Sequence, residues 1–97
     1  ADSAIHLMLN QMVQIGARKS SVKAKMFGGA NMFPSVGKQP ILNVGERNVL
    51  AAEAALTKER IRQTASEVGG HQGRTIIFDV TDGSVQVRTA GAAPRNY

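Results

Sequence analysis

The stretch VKAKMFGGAN at residues 22–31 combines a strand pattern with a glycine turn. Val22, Ala24 and Met26 are apolar, and a lysine stands between each neighbouring pair. This period-two alternation predicts a β-strand with one buried face and one basic face. The strand runs into a Gly-Gly-Ala segment, where glycine permits positive φ and a close approach of the backbone to another group. The turn that follows the strand is therefore a candidate binding loop.

Two segments that flank this strand predict helices. Residues 2–15 place apolar side chains at the spacing of a single helical face. A second helix begins near Asn43, whose side chain can cap it together with Glu46, and it continues to about Lys58. The intervening residues 31–43 contain two prolines and no sustained periodicity, which predicts a long loop.

The second half of the chain predicts three more strands. Residues 61–65 alternate again and predict a strand that stops at Gly69 and Gly70. Runs of strand-forming residues at 75–79 and 84–88 flank an Asp-Gly pair, which predicts a β-hairpin. The element order predicts an α+β domain whose helices cover one face of a sheet of about four strands.

The length and the pattern together suggest an incomplete domain. Ninety-seven residues make one small domain and no more. The predicted sheet would leave an edge and one face without cover, as it would if upstream strands were missing. We therefore expect residues 1–97 to be a fragment of a single domain, with residues 90–97 as a flexible tail.

Charge and composition narrow the classes of function. Twelve basic against seven acidic residues give a net charge of +5, with a dense basic cluster at Arg18, Lys19, Lys23 and Lys25. A solvated face is the favoured interpretation, and contact with an acidic surface or with phosphates stays open. No reader motif or stacking aromatic accompanies the cluster, and no apolar run could cross a bilayer. We expect neither a nucleic-acid partner nor membrane insertion.

The chain contains no cysteine, so it carries no thiol nucleophile of its own, and a cytoplasmic location is the default. Its two histidines, His6 and His71, are 65 residues apart and form no metal motif, and no phosphate-binding glycine motif occurs. No metal or cofactor is expected. A lone loop histidine such as His71 is most often a solvated side chain.

Four segments in register carry a family resemblance. They are ADSAI at 1–5, AKMFGGANMF at 24–33, NVGERN at 43–48, and GGHQGRTIIFD at 69–79 with GSVQV at 83–87. In their order and spacing across residues 1 to about 88 they resemble CheD, the chemoreceptor glutamine deamidase family.

The resemblance implies a layered α/β sandwich of the CheD-like cysteine hydrolase type, incomplete in this chain. It implies a bacterial cytoplasmic hydrolase that converts glutamine side chains of methyl-accepting chemotaxis receptors to glutamate and releases ammonia. A CheC-type phosphatase is the implied partner. The family's catalytic Cys, His and Thr belong upstream of Ala1, so this fragment alone is expected to be inactive and His6 is assigned no catalytic role.

The substrate-loop candidates are Gly28, Gly29, Ala30 and Asn31, together with Arg47 and Asn48 in the first turn of the second helix. The glycine segment can bring backbone N–H groups to a substrate amide, or it can be merely a tight turn. Asn48 can hold that loop or the substrate, and support of the loop is favoured for this pair. An alternative function remains open, a non-catalytic chemotaxis module that docks on receptors or on a CheC-type phosphatase.

Overall fold

The computed structural model describes residues 2–31 and 44–97. Within these two ranges, two helices, a short 3-10 turn and five strands follow one another. In order they are α1 (Asp2–Gln14), the 3-10 turn (Lys19–Ser21), β1 (Lys23–Gly28), α2 (Val44–Lys58), β2 (Arg62–Val68), β3 (Arg74–Phe78), β4 (Val85–Thr89) and β5 (Arg95–Asn96).

The first sheet is a parallel pair formed by β1 and β2. The register runs from Lys23 opposite Arg62 to Gly28 opposite Val68, with an irregularity after Ala24. Parallel strands need a crossover connection, and α2 lies in that connection and packs on both strands. As a result the carboxyl ends of β1 and β2, each followed by glycines, meet at the same edge of the sheet.

Both helices cover one face of this pair. Leu9 of α1, Leu56 of α2 and Ile61 before β2 form a buried cluster, against which Ala24 and Met26 of β1 pack. The alternating pattern of the first strand and the two predicted helices are therefore confirmed. The start of the second helix is described only from Val44, so the expected Asn43 cap and most of the predicted loop lie outside the described residues.

The second sheet is antiparallel, in the order β3-β4-β5. The predicted hairpin is confirmed, because Asp79 N–H donates to Ser84 O at 2.9 Å where the chain turns. Val85 and Val87 of β4 are buried on the face that the sheet turns inward. Lys25 Nζ donates to Gly83 O at 2.7 Å and so joins this sheet to β1. A cleft of about 670 Å³ remains between the two sheets.

Two expectations are corrected by this arrangement. The described strands form two sheets, of two and three strands, rather than one sheet of about four. Gly69 and Gly70, both at positive φ, turn the chain at the end of β2, so β3 starts a separate sheet. The expected tail at 90–97 is wrong at its end, since β5 pairs with β4 and Tyr97 exchanges backbone hydrogen bonds with Val85.

The tail prediction failed because a two-residue strand has no periodicity to detect. Its pairing depends on long-range contacts, among them the ring of Tyr97, whose centroid lies 5.4 Å from that of Phe27 in β1. The coarse prediction of a mixed α+β fold agrees with the helices and sheets observed.

Candidate functional site

The glycine loop at the end of β1, residues 28–31, is hydrogen-bonded to the second glycine loop, residues 69–70, which follows β2. Gly69 N–H donates to Gly28 O at 2.9 Å, and Asn31 N–H donates to Gly70 O at 2.9 Å. Ligands of parallel sheets bind preferentially at the carboxyl ends of the strands. The substrate-loop candidates Gly28, Gly29, Ala30 and Asn31 therefore stand at a place where a parallel sheet commonly carries its chemistry.

The amino end of α2 holds the same loop from the other side. Gly45 N–H donates to Asn31 Oδ1 at 3.0 Å, so Asn31 satisfies one of the free amide groups with which the helix begins. Gly45 is buried and so close to the loop that an added Cβ would meet Gly29 O and the carbonyl carbons of Gly29 and Ala30. Gly29 in turn lies against the side chain of Val49.

Arg47 and Asn48 stay candidates for contact with the substrate, but the support of the loop that was favoured for them is not seen among the described residues. Both side chains are exposed, and within residues 2–31 and 44–97 neither forms a hydrogen bond to the glycine loop. The helix residues that contact the loop are Gly45 and Val49, one helical turn apart. An asparagine of the loop thus supports the helix, whereas Asn48 was expected to support the loop.

The loop presents donors that no other described group uses. Gly28 and Gly29 have φ of 108° and 69°, a conformation that favours glycine. Among the described residues, the N–H groups of Gly29 and Ala30 have no hydrogen-bond acceptor. A hollow of about 270 Å³ is lined in part by Gly29, Gly70 and His71. Adjacent free N–H groups can bind a carbonyl oxygen, or the negative charge that develops on it during nucleophilic attack.

Arg74, which the site predictions did not include, bonds both glycine loops. Its Nη1 donates to Gly28 O at 3.1 Å and its Nη2 donates to Gly69 O at 2.9 Å. Its Nε lies 3.3 Å from Oε2 of Glu67, the carboxylate in β2. The sequence held one signal, the position of Arg74 directly after the Gly-rich segment, but its partners are up to 46 residues away along the chain.

The two histidines lie in different surroundings. His71 is exposed, as expected of a loop histidine, and its Nδ1–H donates to Asn31 O at 3.1 Å, which adds one more bond to the loop. His6, in α1, lies with Nδ1 2.8 Å from Glu59 Oε1 and does not contact the glycine loop. The hydrogen bond from His6 holds the pKa of Glu59 below its ordinary value, and Lys19 adds to this effect against the opposing effect of desolvation.

Residues 2–31 and 44–97 contain no group of three His, Asp or Glu side chains that could hold a metal ion. None of the helices described is both long enough and apolar enough to cross a bilayer.

The fold and the site define an α+β protein with two backbone donors, where two parallel strands end, that no group in the described part of the chain accepts. The chain belongs to the CheD family, since the family model described as CheD chemotactic sensory transduction matches residues 1–89. The family resemblance expected from the sequence is thereby confirmed.

Several curated relatives carry the name "Probable chemoreceptor glutamine deamidase CheD". The protein from Desulfitobacterium hafniense is 45% identical over 89 residues, 92% of this chain and 56% of the relative. Those from Desulforamulus reducens and Clostridium botulinum are 40% identical over 92 residues and 41% identical over 91 residues. They match 95% and 94% of this chain and 55% and 56% of their own lengths. The chain spans about half the length of the curated relatives it matches.

Proposed function

We propose that the complete gene product is a chemoreceptor glutamine deamidase. It would hydrolyse side-chain amides of glutamines on methyl-accepting chemotaxis receptors to glutamate and ammonia. The observation that carries this proposal is the family match over residues 1–89, together with relatives named for that activity. The substrates and partners of the complete protein follow from the family and not from these 97 residues.

The glycine loop gives these residues a part in the chemistry. A primary amide is a poor electrophile, so its hydrolysis gains from a strong nucleophile and from donors that stabilise the oxyanion of the tetrahedral intermediate. The free N–H groups of Gly29 and Ala30 are suited to the second task. Asn31 and the glycines at 69–70 hold these donors in place, which favours a preorganised site over a mobile turn.

The nucleophile has to come from elsewhere in the complete protein. The 97 residues contain no cysteine, and the family pattern supplies a thiolate, a histidine and a threonine from a segment outside them. Nucleophilic attack by the thiolate would expel ammonia and leave an acyl-enzyme, which water then hydrolyses to glutamate. The 97-residue chain on its own is expected to convert no glutamine.

The finer structural and cellular expectations belong to the same proposal. We infer a layered sandwich of the cysteine hydrolase type for the complete protein. The packing of both helices on the β1-β2 pair supports that inference, as do the hydrogen bond from Lys25 to Gly83 O and the contact of the Phe27 ring with that of Tyr97. A CheC-type phosphatase as partner and a cytoplasmic location complete it.

Mass spectrometry of a receptor cytoplasmic fragment tests the activity. Incubation with the complete gene product should add about 1 Da per converted glutamine, with ammonia released in equal amount. Alkylation of the enzyme before the assay should abolish conversion, and because these 97 residues lack cysteine, the reagent can act only on a thiol elsewhere. A folded, unalkylated protein that binds the receptor without any mass change would favour the non-catalytic module instead.

A matched pair of glycine substitutions tests the part played by the loop. Gly28 and Gly16 have nearly equal φ, 108° and 107°, and an added Cβ would have open space at both. Gly28→Ala and Gly16→Ala therefore impose the same backbone strain, of roughly 1–3 kcal/mol. Only Gly28→Ala should lower kcat, because Gly16 follows α1 rather than β1. Equal kcat in the two variants would show that the glycine loop is not part of the active site.

A further inference from the structure

Arg74 is a nearly buried cation whose bonds are made to the two glycine loops. Its side chain is 12% exposed and that of Glu67 is 15% exposed. The guanidinium donates hydrogen bonds to Gly28 O and Gly69 O and forms an ion pair with the Glu67 carboxylate. An ion pair at the surface would not require Arg74 to be withdrawn from water. The burial of this charged side chain therefore needs another explanation.

Burial of a charge is costly unless paired charges and hydrogen bonds compensate it. Among the described residues, Glu67 Oε2 is buried and accepts no hydrogen bond, so the Arg74 Nε at 3.3 Å supplies its balancing charge. Glu67 Oε1 accepts from Arg95 Nη1 at 3.1 Å and from the Tyr97 hydroxyl at 3.2 Å. Both ends of the Arg74–Glu67 pair are thus held, the carboxylate by β5 and Tyr97 and the guanidinium by the loops.

The geometry also requires an arginine. Two carbonyls in different loops are reached by the two terminal nitrogens of one planar group, at 3.1 and 2.9 Å. Lysine is a point charge on a flexible stem and cannot reproduce this fork. Gly28 O belongs to the peptide unit whose N–H is that of Gly29, one of the two free donors. A bond to this carbonyl therefore fixes the plane in which the donor points.

We propose that Arg74 is the positioning residue of the substrate loop, which sets the direction of the Gly29 donor by binding Gly28 O and Gly69 O with one guanidinium. This inference rests on the proposed deamidase function. Arg74 touches no reacting atom in this scheme. It acts through the loop, and Glu67 fixes the guanidinium in turn.

Arg74→Gln in the complete gene product tests the proposal. Misplaced oxyanion donors weaken binding of the transition state more than binding of the ground state, so kcat should fall about 10- to 100-fold while KM changes less than about threefold. The amides of Gly69 and Asn31 should exchange with solvent roughly tenfold faster, because their partners in the other loop are no longer held. An unchanged kcat in the folded variant would overturn the proposal.

Two further variants separate positioning from folding. Arg88→Gln is the matched control, since Arg88 is exposed and its Nε donates only to Gln86 Oε1 at 2.9 Å among the described residues. It should leave kcat and both exchange rates unchanged. Arg74→Lys keeps the charge beside Glu67 without the fork, and it decides the matter if Arg74→Gln does not fold. A reduced kcat with unchanged KM supports the proposal, and a wild-type kcat overturns it.

The wild-type assay distinguishes this inference from the function beneath it. If the wild type is active and Arg74→Lys has the same kcat, only the positioning role of Arg74 is disproved. An inactive wild type, folded and with slow exchange at Gly69, removes the proposed function and the role of Arg74 in that reaction together.

Discussion

Gly45→Ala is the substitution that most directly probes the contact between α2 and the glycine loop. An added Cβ would lie 2.7 Å from the carbonyl carbon of Gly29 and 2.8 Å from that of Ala30, and closer still to Gly29 O. Ordinary contacts of a Cβ begin at 3.4 Å. The neighbouring atoms are backbone, so either the helix or the loop must move by about 0.7 Å to clear the carbonyl carbon of Gly29, and by more to clear its oxygen.

Three contributions set the size of the effect. Alanine in place of glycine favours the helix by about 1 kcal/mol. Overpacking against a backbone costs roughly 1–3 kcal/mol. Displacement also weakens the bond from Gly45 N–H to Asn31 Oδ1, which contributes about 1 kcal/mol. The free energy of unfolding should therefore fall by about 1–3 kcal/mol, against the direction that helix propensity alone predicts.

Urea unfolding of the complete gene product, followed by circular dichroism, measures this change. Ala51→Gly at an exposed position of α2 serves as the control, because it reports the propensity difference alone, with a loss of about 1 kcal/mol. Amide exchange at Asn31 should quicken in Gly45→Ala and stay unchanged in Ala51→Gly. A Gly45→Ala protein as stable as the wild type, with unaltered exchange, would refute the close approach of helix and loop.

Three further predictions concern the parts that surround the loop. The pKa of Glu59 is lowered by its hydrogen bond from His6, so its contribution to stability is complete above the ordinary carboxyl pKa of 4.5 and is lost as pH falls through the lower folded value. In urea unfolding from about pH 6 to about pH 3, the free energy of unfolding should fall less in Glu59→Gln than in the wild type. Tyr97→Phe should cost about 1 kcal/mol in thermal unfolding, because it keeps the ring contact with Phe27 and loses the hydroxyl bond to Glu67. Val87→Ala should cost about 1–3 kcal/mol in urea unfolding, since Val87 is 1% exposed.

Each of these predictions has its own control. Glu53 lies in α2, which ends one residue before Glu59. Glu53→Gln should lose as much stability between about pH 6 and about pH 3 as the wild type does. Tyr97→Ala should cost more than Tyr97→Phe, and equal losses would mean that the ring contributes nothing. Val80, 82% exposed, makes the matched partner of Val87, and a comparable loss in Val80→Ala would contradict the burial difference on which the prediction depends.

Local patterns carried much of the fold. The alternation at Ala24 and Met26 predicted the buried face of β1 correctly, because the side chains of a half-buried strand point alternately to the core and to solvent. The hairpin followed from Asp82-Gly83, since the turn needs a residue at positive φ and Gly83 supplies it at 76°. The glycine loop after β1 was chosen on the same ground, and its role in substrate binding stays a prediction.

What the sequence did not indicate depends on partners far along the chain. The separation into two sheets follows from a turn at Gly69 and Gly70 that a single-sequence pattern reads only as the end of a strand. Gly45 was placed in a helix start, but the reason for a glycine there is the backbone of Gly29. Arg74 lies in the GGHQGRTIIFD segment, but the sequence indicated no role for it, because its partner Gly28 lies 46 residues upstream.

The paired glycines at the ends of β1 and β2 leave a patch of bare main chain at this edge of the sheet. Such a patch recognises the shape and the hydrogen-bonding groups of a ligand. It has few side chains that could distinguish the residues flanking a bound glutamine. For a deamidase built on it, discrimination among glutamines would fall to the helix surfaces and loops farther out. The same edge could then serve receptors of divergent sequence without any change of its own.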